Sequence, residues 1–337
     1  MKRINLALQG GGAHGAFTWG VLDRLLEEDD IEIAAISGTS AGAMNGAALK
    51  SGLITDGRSG ARACLDWFWE QMGATGDLRL PDWMAQGTPW SNMVNQMAEL
   101  SPAYLMGEAM RQVVSPYAYG PFYQNPLERI VRQFEYGQVC AGDGPQLFVG
   151  ATNVHSGKIR IFKGNEITPE ALLASACLPT MFQAVEIDDE HYWDGGYAGN
   201  PALFPLFAKD LPDDIMIINI NPLERPEVPK SPQDIQNRIN EISFNSSLLR
   251  ELRAIDFVQR LLDQDAMEQG AMKRVNVHMI ADDDLMRNLS VATKLLPTPN
   301  LLHQLKEAGR AAADVFLDQH SDDLNQRSST DLEEMFA

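Results

Sequence analysis

Over the first fifty positions the apolar residues change period three times. Ile4-Asn5-Leu6-Ala7-Leu8 reads as a buried first strand, and Phe17, Val21, Leu22, Leu25 and Leu26 then fall at helical spacing. The β-branched residues Ile31, Ile33 and Ile36 predict a second strand, and Ala41, Ala43, Met44, Ala47, Ala48 and Leu49 lead out of it as helix formers. Residues 53–79 carry a further helix with Trp67, Phe68 and Trp69. Strands are predicted at Gln146–Asn153, at Lys158–Phe162 around a Ser156-Gly157 turn, and at Ile215–Ile220, with an extended run from Phe182 to Ile187. Long helices are expected over 231–269, where Ile235, Ile239, Ile242, Leu249, Leu252 and Val258 keep to one face. Covering the sheet is the simplest use of that face, and a contact between copies of the chain is the alternative. A last strand, Lys273–Ile280, and a helix, Asn300–Phe316, complete one domain over residues 1–316. Residues 317–337 are acidic and polar and are expected to be a disordered tail. There is no internal repeat.

One stretch departs from its surroundings. Between 80 and 125 only Asp82, Glu99, Glu108 and Arg111 are charged, and Met84, Met93, Met97, Met106 and Met110 stand among Trp83, Trp90, Tyr104, Tyr117, Tyr119, Phe122 and Tyr123. Prolines at 81, 89, 102, 116 and 121 divide it into short helices. Packing on the core explains such a segment; so does a lid or acyl channel, because methionine and aromatic side chains adapt to flexible alkyl tails.

The chemistry lies where strands turn into helices. Gly38-Thr39-Ser40-Ala41-Gly42 is a Gly-x-Ser-x-Gly pentapeptide with a strand before it and a helix after it, the context of a nucleophile elbow. One strand upstream stands Gln9-Gly10-Gly11-Gly12-Ala13-His14-Gly15, which reads as a tight strand-to-helix turn, as a dinucleotide loop through Gly10-x-Gly12-x-x-Gly15, or as an oxyanion hole. As a dinucleotide loop it would want an acidic residue about twenty positions on, at the end of the second strand, but that strand ends at Ser40 and Glu32 sits at its start. As an oxyanion hole it needs only backbone N–H groups at a helix N-terminus, which makes one site of both glycine turns. Tyr192-Trp193-Asp194-Gly195-Gly196-Tyr197 follows the extended run. Taken alone, Asp194 beside two glycines is a surface turn.

These three motifs in this order, with Ala174-Ser175-Ala176-Cys177-Leu178-Pro179 and Asn200-Pro201, resemble the patatin-like family of lipid acyl hydrolases over roughly residues 4–220. The resemblance implies a three-layer α/β/α hydrolase with a largely parallel central sheet. It implies Ser40 as nucleophile and Asp194 as general base, with Gly11 and Gly12, helped by Gly10, as oxyanion donors. His14, Gly15, Gly38, Gly42, Gly195 and Gly196 support those motifs. Such a dyad needs a dry site, since a carboxylate with pKa about 3.9 is a weak base. No metal or cofactor is required. His14 is a departure, because the family usually carries Arg or Lys there. A charge that depends on pH puts recognition of phosphate headgroups in doubt and makes neutral or polyester-type acyl esters easier to accommodate. A Ser-Asp-His triad is formally open through His278, on a strand-like run, or His191, and a lone histidine on a strand is ordinarily structural. Outside hydrolases the competing classes are a nucleotide-binding module and a catalytically silent lipid-binding protein.

Composition narrows the setting. The chain has 337 residues, of which 45% are apolar, enough for a large core. A net charge of −19 disfavours nucleic acid and gives no general attraction to anionic lipid. Cys64, Cys140 and Cys177 make neither a zinc spacing nor a disulfide framework, and Cys177 reads as core packing. The short apolar stretch after Lys2 and Arg3 is expected to be a first strand rather than a signal peptide, and no span of about 20 apolar residues occurs in the sequence. The expected setting is cytoplasmic, with peripheral membrane contact and a leaderless secretion route both compatible, and the expected partner is a lipid or acyl ester.

Overall fold

The computed structural model describes residues 1–75, 115–266, 270–289 and 291–336. Eight strands among these residues form one mixed sheet: β1 Lys2–Leu8, β2 Ile31–Thr39, β3 Gln146–Asn153, β4 Ile159–Lys163, β5 Val185–Ile187, β6 Glu190–Asp194, β7 Asp214–Ile218 and β8 Asn276–Ile280. Their order is β5-β6-β3-β2-β1-β7-β8, with β4 paired to β3. β3, β2, β1, β7 and β8 are parallel, whereas β4, β5 and β6 pair antiparallel. The principal helices are α1 Gly15–Leu25, α2 Ala41–Thr75 (broken at Asp56-Gly57), α3 Pro169–Ser175, α4 Pro232–Asp263, α5 Val291–Leu295, α6 Pro299–His320 and α7 Leu332–Met335.

Strand periodicity builds the layers. Ile4, Leu6 and Leu8 of β1 and Met216 and Ile218 of β7 pack with residues of α1, α2, α3 and α6 on one face. The alternate residues Ala7, Ile215 and Ile217 pack with Leu248, Leu252 and Ile255 of α4 and Leu332 of α7 on the other. A sheet between two helical layers results, as expected for a three-layer α/β/α fold. Glycines let α1 and α6 cross closely: a Cβ at Gly20 would stand 1.9 Å from the Lys306 carbonyl oxygen, and one at Gly309 would stand 2.0 Å from that of Phe17. Such contacts admit no side chain.

Two expectations need correction. Of the α4 face drawn through Ile235, Ile239, Ile242, Leu249, Leu252 and Val258, Leu252 is buried on the sheet, but its first three members do not cover the sheet, since they are 42%, 53% and 54% exposed. The buried stripe is Glu241, Asn245, Leu248, Leu252 and Ile255, turned about 120° around the helix from the three exposed isoleucines. Its first two members are polar and so add nothing to the apolar periodicity. Glu241 is held by Arg225 at 2.6 and 2.8 Å and by Arg238 at 3.3 Å. Asn245 donates to the carbonyls of Asn221 and Pro222 and accepts from Gln9.

The segment 318–336 folds onto the domain rather than forming a loose tail. Leu324 and Leu332 are buried, and Asn325 exchanges two hydrogen bonds with the Arg3 backbone and donates its own N–H to Asp214. Its acidic residues made it look disordered, but its few leucines and polar groups reach the amino-terminal end of the sheet.

Of the segment 80–125, residues 80–114, including Trp90 and Met97, lie outside the described residues. The remainder is clipped to the 183–184 stretch, where the Tyr123 and Tyr117 hydroxyls accept from the Gln183 and Ala184 N–H groups at 3.2 and 3.0 Å.

Candidate active site

Ser40 lies between β2 and α2 with φ 54°, the left-handed backbone that a strand-to-helix elbow imposes and that a non-glycine residue rarely adopts. The turn is closed too tightly for side chains on either side. A Cβ at Gly38 would stand 2.6 Å from the Gly42 carbonyl oxygen, and one at Gly42 would stand 2.1 Å from that of Leu8. Ser40 N–H donates to Ser175 Oγ at 2.9 Å, and that hydroxyl donates to the Gly150 carbonyl at 2.6 Å. The elbow is therefore held by a side chain at the end of α3. Ser40 itself is 8% exposed.

Strand register brings Asp194 to it. β2 pairs with β3 as far as Thr39↔Gly150, and β6 takes over at Ala151↔Asp194. β4 occupies the opposite edge of β3 through the same residues, so β2 and β6 share one edge. Running in opposite directions, they meet end to end, Ser40 leaving one and Asp194 ending the other. Asp194 is 1% exposed. Its Oδ1 accepts from Gly196 N–H at 2.7 Å, while Oδ2 is buried without a hydrogen-bond partner among the described residues. The Ser40 hydroxyl is close enough to favour the ionised carboxylate without reaching full hydrogen-bond geometry; such contacts commonly tighten only with substrate bound. Burial dominates and pushes the carboxyl from 3.8 to about 7, against the Gly196 N–H and the Ser40 hydroxyl. Gly195 lies against the Gly150 carbonyl and Gly196 against the Phe244 ring.

The glycine loop follows β1, where the sheet order reverses direction, the usual place for a ligand crevice in an open α/β sheet. Gly15, opening α1, packs on Ala41, and its carbonyl accepts from Asn45 Nδ2 at 3.0 Å, joining the two turns. The N–H groups of Gly11 and Gly12 meet no acceptor among the described residues. Gly10 differs from its expected place among the donors. Its N–H is taken by Asn200 Oδ1 at 2.7 Å, so it is spent on anchoring the loop.

His14 also departs from expectation. It is 1% exposed, with Nε2 on the Thr293 hydroxyl at 2.8 Å. Burial, and then the nearby charge of Lys294, hold its pKa well below 6.5, so it is neutral at pH 7 and brings no cation to the loop. Under Gly10 lies an amide network that no short motif announces. Gln9 Oε1 accepts from the N–H groups of Ile220 and Asn221 and from Asn221 Nδ2, and Asn221 accepts from Lys294 Nζ at 2.7 Å. Gln9 was legible as the residue before the glycines. Asn221, Asn245 and Lys294 carried no local signal.

The histidine triad does not form. Between β2 and β8 lie β1 and β7, about 14 Å in all at the usual strand spacing. His278 on β8 binds Asp214 Oδ1 at 2.8 Å and Ser329 Oγ at 3.0 Å, and Asp214 opens β7 at the end of the sheet opposite the elbow. His191 faces His155, with ring centroids 5.5 Å apart. His278→Ala is therefore expected to keep ester turnover within about threefold of wild type. It should lower stability by roughly 3 kcal/mol or more, because Asp214 loses a buried partner. Parallel rate and urea-melt measurements separate the two effects. Cys177 is pushed up to about 12 by burial and then by Asp194, which makes it a core thiol.

The patatin-like phospholipase family model matches residues 6–207, and the chain belongs to that family, whose members are generally lipid hydrolases. Two solved structures are similar over 95% of this chain. One is VipD from Legionella pneumophila, at 15% identity, TM-score 0.43 and 67% of that chain. The other is the heterodimeric ExoU-SpcU complex of the Pseudomonas aeruginosa type III secretion system, at 19% identity, TM-score 0.30 and 60% of that chain. No curated protein matches. Among the described residues no helix is long and apolar enough to cross a membrane.

Proposed function

We propose that the protein hydrolyses carboxylic esters of lipids through a Ser40–Asp194 dyad. What supports this reading most is a serine at φ 54° placed end to end with a buried carboxyl whose pKa is raised to about 7. In the reaction Ser40 Oγ attacks the acyl carbonyl while its proton passes to Asp194. The oxyanion of the tetrahedral intermediate accepts from the Gly11 and Gly12 N–H groups. The departing alcohol takes the proton from Asp194 and leaves an acyl-enzyme. Water then attacks the acyl carbon, giving its proton to Asp194; the acid departs and Ser40 Oγ recovers the proton. Low exposure of both groups keeps the carboxylate basic, and the amino terminus of α2 favours alkoxide character at Ser40.

A neutral acyl ester fits this site as readily as a phospholipid, because position 14 supplies no charge to meet a phosphate. Transient contact with a lipid surface belongs to the same reading, and the exposed Ile235, Ile239 and Ile242 are apolar residues available for it. Incubation with a fluorophosphonate should add one phosphonyl group per chain, located on the Ser40 peptide by mass spectrometry. An unmodified Ser40 would remove both the nucleophile and the enzymatic reading, leaving a lipid-binding protein.

A further inference from the structure

Lys294 is a half-buried ammonium beside the glycine loop with no carboxylate within ion-pair distance among the described residues. Its backbone presses on the loop, since a Cβ at Gly12 would stand 2.3 Å from the Lys294 carbonyl oxygen. Its Nζ donates to Asn221 Oδ1 at 2.7 Å. The same Asn221 amide donates through Nδ2 to the Gly10 carbonyl at 3.0 Å and to Gln9 Oε1 at 3.0 Å. Asn200 Nδ2 adds a second donor to the Gly10 carbonyl at 3.3 Å. That carbonyl belongs to the same peptide group as the Gly11 N–H, which has no acceptor of its own among the described residues.

We propose that Lys294 is a positioning residue for the reaction: acting through the Asn221 amide, its charge polarises the Gly10–Gly11 peptide and strengthens Gly11 N–H as a donor to the oxyanion. Hydrogen bonds in a chain polarise one another, and a cation at one end enhances each link, the more so in a site shielded from water. The proposal rests on the Ser40–Asp194 reading and adds to it the origin of the loop's positive field. That field comes from α5, near the far end of the chain, and not from His14 within the loop.

The charge is conditional. Burial lowers the Lys294 pKa to about 8, helped by Arg225 and opposed by Glu241. Glu241 is already bound by Arg225 and Arg238, and His14, the titratable group facing Lys294 from the loop, is neutral at pH 7. A lysine losing its proton near pH 8 would set an alkaline limit on turnover, above the rise set by Asp194 near pH 7.

The test is the pH profile of kcat and KM on p-nitrophenyl butyrate for wild type, Lys294→Met and Lys294→Arg. Wild type should rise through about pH 7 and fall through about pH 8. Lys294→Met should lose roughly tenfold to a hundredfold in kcat at pH 7.5 with KM little changed, and should lose the alkaline fall; removing a direct oxyanion donor costs more. Lys294→Arg, charged throughout, should restore most of the rate and carry it above pH 9. The proposal is overturned if Lys294→Met matches wild type in rate and keeps the alkaline fall. It is equally overturned if both variants slow alike with the profile unchanged, the mark of a packing role. Fluorophosphonate labelling separates these outcomes from failure of the parent reading. Complete labelling of wild-type Ser40 with an unaffected Lys294→Met overturns the lysine proposal alone, whereas a wild type that never labels overturns both.

Discussion

Replacing Ser40 with alanine is expected to lower turnover of p-nitrophenyl butyrate by at least about 10⁴-fold, the order of loss seen when one member of a catalytic serine set is removed. The effect should fall on kcat, because binding the acyl chain does not use the hydroxyl. Stability should change little. The elbow is held through the Ser40 backbone, by Ser175 Oγ and by the Met44 N–H on the Ser40 carbonyl, and alanine keeps both bonds. More than a few per cent of wild-type rate with an intact thermal melt would take the nucleophile away from Ser40.

Asp194→Asn is expected to be nearly as damaging, and it carries a second signature in stability. The folded-state pKa of Asp194, about 7, lies above its ordinary 3.8. The folded chain therefore holds a proton that the unfolded chain has released. This contribution is fully present below about pH 4 and is lost as pH rises through about 7. The full difference corresponds to ~4 kcal/mol. Asparagine never ionises, so the stability of Asp194→Asn relative to wild type should grow between pH 5 and pH 8. Comparing variant with wild type cancels other titrating groups, including Glu251, which burial also raises to about 7. Activity runs the opposite way. A base must be unprotonated, so wild-type kcat should climb through the same interval in which stability falls. An Asp194→Asn chain with substantial turnover, or with no stability gain between pH 5 and pH 8, would show that Asp194 is not the buried base.

These opposed trends mark where local pattern stopped being informative. The elbow was legible because a strand, a glycine-bounded serine and a run of small helix formers are adjacent in the chain, and backbone sterics act on neighbours. The glycine loop was legible for the same reason. The faces of α4 were not. Glu241 and Asn245 occupy its buried stripe because partners distant in sequence, Arg225, Gln9 and Asn221, satisfy them. No apolar periodicity can show a polar residue whose burial depends on such partners. The last twenty residues failed for a related reason: composition counts charges, whereas their order comes from a few bonds to Arg3, Asp214 and Val277 at one end of the sheet.

By itself the sequence determined the alternation of strands and helices at the amino terminus, the two glycine turns, the place of Ser40 and the family pattern that pairs it with Asp194. All of these rest on spacing along the chain. Tertiary structure alone decided that β2 and β6 meet on one edge of β3, that Gly10 spends its N–H on Asn200, that His14 is neutral, and that Lys294 stands behind the loop. The physical reason is that proton affinity and hydrogen-bond capacity depend on surroundings. The surroundings of the buried Asp194 and His14 and of the half-buried Lys294 are assembled from segments far apart in sequence, and only the folded sheet brings them together.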